Sequence, residues 1–334
     1  MKEIKENSLR LNWIDYAKGI GIIFVVYGHV IKGLITPDLV DERFYYYSVN
    51  FVYSFHMPLF FILSGYFFIS SFTKRTVLQF VNIKLKSIIY PFVIWSLLQT
   101  TIEVILSEFT NNQITSDSLL SCLLIPRSQF WFLHALFFIN LLNVFFFKIS
   151  NSKGLIISVF VWIIYQNLEI NIKPFDKTIV NLVYFNLGVL LYSFKEFTSM
   201  IIKNKYVFLL NVFIFSFSLY LYFNFPIEKW FNLLLPQISG SFVIIFISYY
   251  LAEKSRYSFI EYLGVNSLTI YLVHLLAGNG FRIVMFKFLH IENSYVHIIL
   301  GTCFGLLLPI LFYNFSKRFK LLRWLFIFPS KLFE

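Results

Sequence analysis

Charged side chains are scarce in this sequence. Asp, Glu, Lys and Arg make up 13% of its 334 residues, about half of the roughly 25% found in a soluble domain. That shortage excludes a large water-soluble domain, because there is too little polar surface to clothe one. Cysteine is nearly absent. Cys122 and Cys303 lie far apart, outside any CxxC pattern, which leaves no disulfide framework or thiolate metal cluster to be read. There is no Walker A loop, no HExxH and no GxSxG elbow. The six histidines are scattered, so no metal site is expected. Low-complexity tracts, strict repeats and long soluble insertions are also missing. The net charge of +11 invites a nucleic-acid reading, but no basic block interleaves with aromatics on a soluble surface, so no nucleic-acid partner is expected.

Apolar residues are what the chain has instead. They make up 58% of it, with 44 Phe and 21 Tyr, and the mean hydropathy is +0.72. Lipid must be the solvent for much of that surface. The apolar runs are continuous rather than alternating, which predicts helices and not a membrane barrel. The sequence therefore reads as an all-α polytopic integral membrane protein of about ten transmembrane helices. They are expected near 17–35, 51–71, 87–107, 130–147, 154–168, 178–194, 206–224, 233–252, 265–286 and 294–315. The chain reads as one domain over 1–334, with short cytoplasmic tails at about 1–12 and 316–334. No small-residue cleavage site follows the polar start, so the first helix is expected to be retained.

The basic residues test this partition. With the N-terminus in the cytoplasm, all but eight of the 28 Lys and Arg fall in cytoplasmic segments. The eight are Lys32, Arg43, Arg127, Lys173, Lys177, Lys229, Arg282 and Lys287. This bias predicts both termini inside. The longest external loop is expected at about 108–129, with Asn111, Asn112, Thr115, Ser116 and Asp117. It reads equally as a plain connector or as the edge of a substrate entrance.

Polar residues inside the spans are the ones lipid does not explain. In the first helix Lys18 and His29 stand 11 residues apart, nearly three whole turns, so they share a face roughly 16 Å apart along the axis. Asp15 lies one turn before Lys18. Lys18 reads as a snorkelling anchor or as a ligand-binding cation. His29 reads as an interhelical hydrogen-bonder or as a general base at neutral pH. Gly19, Gly21 and Gly28 make this helix slim, open to close approach by another helix or a bound chain. The second helix carries His56, then Pro58 in what is expected to be its first turn, then Ser64 and Gly65 as a close-packing site. Trp131 and His134 open the fourth helix, where an interfacial aromatic belt is the plain reading. Ser267, Tyr271 and His274 share one face of the ninth helix, as a cavity wall or a helix contact.

At these residues the chain resembles the acyltransferase-3 family of bacterial membrane O-acyltransferases. The stretch from Asp15 through Lys18 to His29 looks like that family's basic residue, ten-residue gap, His signature. Phe55-His56-Met57-Pro58 through Ser64-Gly65-Tyr66 follows, then Lys84 and Lys86 before Pro91, Phe130-Trp131, and Ser267 through Tyr271 to His274. Together the matching pieces span about residues 10–280. The opening most resembles members that acetylate exopolysaccharide or capsule sugars. One departure is Lys18, where the family often has Arg; Lys keeps the charge and loses the bidentate fork.

The resemblance implies transfer of an acyl group, commonly acetyl from acetyl-CoA, to a hydroxyl of a cell-envelope or exported glycan. It implies a multi-pass protein of the bacterial cytoplasmic membrane, in contact with membrane lipid and with a glycan or lipid-linked sugar as acceptor. On that reading His29 is the catalytic base, with His56 as a second active-site group. Lys18 would hold the CoA phosphates, with Asp15 orienting Lys18 or binding near it; Lys84 and Lys86 would add to that CoA site, or read simply as a positive-inside loop without a ligand. The pantetheine arm would run along the glycine face of the first helix. Ser64, Trp131, His134, Ser267, Tyr271 and His274 would line the cavity. A covalent acyl-His intermediate is the mechanistic alternative. The competing functions are a glycan carrier or flippase and a non-catalytic subunit of an envelope assembly complex. Homo-oligomerisation is left open.

Overall fold

The structure, a computed structural model, describes residues 2–107, 117–149, 151–167, 172–225, 229–254 and 258–329. Asn111, Asn112, Thr115 and Ser116 of the expected external loop lie outside them. The regular secondary structure of the described residues is all helical, without a strand. In chain order the helices are α1 (Lys2–Ile35), α2 (Glu42–Tyr53), α3 (His56–Tyr66), α4 (Phe68–Phe72), α5 (Val77–Lys84), α6 (Tyr90–Ile105), α7 (Asp117–Ser121), α8 (Trp131–Ile149), α9 (Asn151–Asn167), α10 (Asp176–Ser193), α11 (Lys195–Lys203), α12 (Lys205–Asn224), α13 (Lys229–Lys254), α14 (Phe259–Val265), α15 (Ser267–Ile283), α16 (Ser294–Ser316) and α17 (Lys320–Arg323).

Among the described residues, seven helical stretches are long and apolar enough to cross a bilayer. They are Asn12–Ile35, Val77–Ile105, Ser128–Phe147, Lys205–Asn224, Leu234–Lys254, Ser267–Phe288 and Ser294–Ser316. The other three expected spans take other forms. Helices α10 and α11 make one crossing only as a pair bent by 96°. The apolar part of α9, Lys153–Asn167, is shorter than the rest.

The expected span 51–71 is divided among the end of α2, α3 and α4. The first break has a local cause. Pro58 has no N–H to bond the carbonyl of Ser54, which favours a kink or break in the preceding turn. The chain leaves the helical conformation at Phe55 (φ −144°) and restarts at His56, which puts Pro58 in the first turn of α3 as expected. A second proline is absorbed differently. Pro91 follows a π-helical turn at Leu85–Ile89, in which Tyr90 N–H bonds Leu85 O. Such a turn re-registers the ladder where a normal bond is lost.

Helix α1 is the central post. It packs against α13, α14, α15, α16, α2 and α3. A second group, α8, α9 and α10, joins it through α3. Glycines set both joints. A Cβ on Gly264 would lie 1.7 Å from the Asp15 carbonyl oxygen, and one on Gly19 would lie 1.9 Å from that of Ile260. On the other side, a Cβ on Gly65 would meet the Phe185 carbonyl at 1.9 Å and one on Gly188 that of Ile62 at 2.0 Å. Each pair of backbones therefore touches through two reciprocal glycines, the small-residue packing that membrane helices favour. By contrast, α12 packs chiefly on α13, and only 6% of its apolar window is buried. Phe213, Phe217 and Leu209 stand exposed on it, which suits a wall against lipid.

Candidate functional site

The C-terminal third of α1 presents Val25, His29, Lys32 and Gly33 to a cavity of about 470 Å³. These offsets of four, seven and eight residues return to one helical face. Helix α15 runs beside α1 in the same direction. Asp15 meets Gly264 just before α15 begins, and Gly33 meets Asn279 and Arg282 near its end. The cavity lies between these helices, α2–α3, α6 and the turn before α8. Tyr53, His56, Glu103, Arg127, Gln129, Trp131, Tyr271, Asn279 and Arg282 complete its polar and aromatic wall. Its volume suits a small-molecule site, typically about 300–1,000 Å³.

Three imidazoles converge on one side. The His29 ring stands 5.1 Å from that of His274 and 6.3 Å from Tyr53, and Tyr53 lies 4.6 Å from His56. His56 Nδ1 lies 2.7 Å from the Val52 carbonyl, and His274 Nδ1 lies 2.8 Å from that of Tyr271. A carbonyl can only accept, so both Nδ1 atoms carry the hydrogen and both Nε2 atoms are left as acceptors. Nε2 of His274 is buried without a hydrogen-bond partner among the described residues. No hydrogen bond holds either ring nitrogen of His29 among them, and its side chain reaches the cavity.

The opposite wall is a polar chain. Gln129 Nε2 donates to Gln99 Oε1 at 2.8 Å, and Gln99 Nε2 donates to Glu103 Oε1 at 2.8 Å. Glu103 in turn faces Arg127 at 3.6 Å. Ser128, between Arg127 and Gln129, has a φ of 48°, a left-handed conformation that a non-glycine residue adopts at some cost. The turn is pinned from across the cavity, where the Tyr271 hydroxyl donates to the Gln129 carbonyl. Ion pairing, a strained residue and an interhelical hydrogen bond thus fix this wall.

Of the residues expected at the site, His29, His56, Trp131 and Tyr271 line the cavity. His274 stands directly behind His29. The others fall elsewhere. His134 is buried among Phe92, Phe138 and Phe175. Ser64 sits half-buried beside the Gly65 contact, and Ser267 is half-buried at the start of α15. Lys18 pairs with Asp15 at 3.2 Å and lies 5.6 Å from the Phe67 ring, away from the cavity. Lys84 stands over Phe80 and Lys86 over Phe328.

The expected lane along α1 is closed. Between Lys18 and His29, on the stripe that joins them, stand Ile22 and Val25, 0% and 2% exposed. The glycines are covered as well. Gly19 packs on Ile260, Gly21 on Phe60 and Leu59, and Gly28 on Tyr53 and Val52. The slim face serves helix packing, so it is not an open track for a bound chain.

Sequence reasoning missed Lys32, Tyr53, Glu103, Arg127, Gln129, Asn279 and Arg282. Signals for some of them existed. Gln99 and Glu103 are polar residues inside an apolar run, and Lys32, Arg127 and Arg282 are among the eight basic residues that positive-inside topology leaves unexplained. No three His, Cys, Asp or Glu come together as a metal site among the described residues.

Comparison with known proteins agrees with this architecture. The family described as an acyltransferase domain, the third of that name, matches residues 11–314. Nodulation protein NolL of Mesorhizobium japonicum is 30% identical over 123 residues, which cover 37% of this chain and 32% of NolL. The chain thus spans about a third of the length of that curated relative. No solved structure matches. The family match covers both cavity walls, and the chain therefore belongs to the acyltransferase-3 family, as a multi-pass membrane protein.

Proposed function

We propose that this protein transfers an acetyl group from acetyl-CoA to a hydroxyl of a cell-envelope or exported glycan, at the bacterial cytoplasmic membrane. Ten crossings, both termini in the cytoplasm and a single domain over the chain belong to the same proposal. The observation that carries it is His29, an imidazole on the wall of a cavity of sugar size, with no hydrogen bond to its ring nitrogens among the described residues. Trp131 and Tyr53 supply aromatic surface, and Gln129 and Asn279 supply amides, a lining suited to a hydroxylated ring.

In this reading His29 takes the proton of the acceptor hydroxyl as its oxygen attacks the thioester carbon. A C–O bond forms, the C–S bond breaks, and the imidazolium returns its proton to the departing thiolate. The Nε2 of His274, an acceptor beside His29, favours the charged imidazolium as it forms. His56, with Nε2 free to accept, faces the same space and orients the incoming hydroxyl. The test is incorporation of label from acetyl-CoA into membrane glycan by the purified protein. Glycan moved without chemical change, or no label incorporated, would point to a carrier or a subunit instead.

The donor's phosphates are assigned to the far end of α1. Lys18 is half-exposed there, and Phe67, Phe68 and Phe80 place Lys84 in the same neighbourhood. A donor held at Lys18 reaches His29 only if the plug of Ile22 and Val25 parts or is bypassed. Lys18→Ala is expected to raise the apparent KM for acetyl-CoA roughly tenfold, the worth of one charge-assisted contact. An unchanged KM leaves Lys18 as a membrane anchor.

A further inference from the structure

A cavity of about 470 Å³ can enclose only part of a glycan, so the remainder must leave through an opening. Its lining changes character at one edge. Ile102 and Leu106 of α6 face it there with Leu275, Leu276 and Ile283 of α15. Offsets of four, seven and eight residues keep each set on one helical face. The two helices are only lightly joined. Helix α15 packs along α16 and α1 but barely on α6. Gly280, in the same stripe of α15, lines the cavity and is exposed. A Cβ on it would meet nothing within 4 Å. Packing therefore does not need a glycine at this position, and alanine would suit the helix better. What the glycine keeps is open space in the seam.

The rim of the seam is apolar. Leu106 is 40% exposed, Ile105 74% and Val284 50%. One turn from Ile105, the Thr101 hydroxyl is folded back onto the Leu97 carbonyl at 2.8 Å. Gly280 stands eight residues inside the end of the apolar span Ser267–Phe288, about 12 Å along the helix. That depth and that rim set the opening against hydrocarbon. A water-borne glycan has no use for such an edge. It would enter past Lys32, which is exposed in the last turn of α1. A sugar joined to a lipid tail uses both parts of the cavity, the polar wall for the ring and the apolar seam for the tail.

We propose that the acceptor is a lipid-linked glycan that enters sideways from the bilayer, its hydrocarbon tail lying in the seam between α6 and α15 and its sugar hydroxyl turned to His29. The inference rests on the reading that this cavity receives the acceptor. It narrows the substrate class from any envelope glycan to one carried on a lipid tail.

The test uses the purified full-length protein in phosphatidylethanolamine–phosphatidylglycerol vesicles with labelled acetyl-CoA. It is offered either the chloroform–methanol-soluble glycolipids or the water-soluble glycans of the cells that make it, at equal sugar content. The initial rate with glycolipid is expected to be at least roughly tenfold higher, because the tail confines the acceptor to the bilayer and raises its effective concentration at the seam. Gly280→Trp fills the seam from an exposed helical position and should bring the two rates within about threefold. Phe213→Trp, on the exposed face of α12, should leave the preference as it was. Equal rates, label in the water-soluble glycan alone, or a preference that survives Gly280→Trp would overturn the proposal and leave the acetyltransferase reading standing. Label in neither acceptor would overturn both. A second measurement needs no chemistry and covers the case in which Gly280→Trp fails to fold. A spin label on Gly280→Cys, with Cys303→Ser to remove the exposed thiol, should collide more often with oxygen dissolved in the bilayer than with a water-soluble nickel chelate. The reverse order would put the opening in water and overturn the lateral route, whatever the rates.

Discussion

Purified His29→Ala protein is expected to transfer acetyl at a rate lower by about 10²–10⁴-fold, the usual contribution of a general base. The effect should fall on kcat, because the imidazole acts on a proton that moves only in the transition state. Little of it should come from lost folding. His29 contributes two ring contacts, to His274 and Tyr53, and no hydrogen bond among the described residues. Initial rates with labelled acetyl-CoA, normalised to folded protein, check this. A rate within about threefold of the parent, well short of the roughly hundredfold loss that removing a general base causes at the least, would remove His29 from the chemistry and leave the cavity as a binding site alone.

The largest effect on stability is expected at Gly264. A methyl group there would overlap the Asp15 carbonyl oxygen, with 1.7 Å between them. Both atoms belong to main chains of packed helices, so neither can rotate away. Relief requires α14 to move off α1, and Gly19 against Ile260 closes the same joint from the other side. Gly264→Ala should cost about 3 kcal/mol, the upper part of the overpacking range. Gly280→Ala is the matched control. It lies in the last turn of α15, where the chain stays helical through the π-helical turn at Val284–Phe288, and a Cβ there meets nothing within 4 Å, so it should be neutral or stabilising by about 0.5–1 kcal/mol through helix propensity. Thermal transitions in detergent compare the two. Equal stability of both variants would mean that the two helices are not held in contact through these glycines.

Much of the molecule could be read from residues alone. Long apolar runs with few charges specify membrane helices by solvation, and solvation depends on composition and length, which a sequence displays directly. The same holds for the shared face of Lys18 and His29, which follows from helical repeat, and for Pro58 at a helix start. His29, His56, Trp131 and Tyr271 carried enough local pattern to be singled out, and they do meet at one cavity.

What the sequence could not show was which faces meet and what lies between them. Lys18 and His29 share a stripe, but Ile22 and Val25 on that stripe are apolar in any helix, whether they face lipid, a channel or a packed core. Only their neighbours decide that they form a plug. The glycines of α1 looked the same whether they opened a track or admitted a helix, and Ile260, Phe60 and Tyr53 decided for the helix. Lys32, Glu103, Arg127 and Arg282 come from three spans and a turn, separated by up to 250 residues along the chain. Local pattern reports solvent preference and helical phase, which each segment carries by itself. A site made by side chains from four segments exists only where long-range packing brings them together, and that is a property of the tertiary structure.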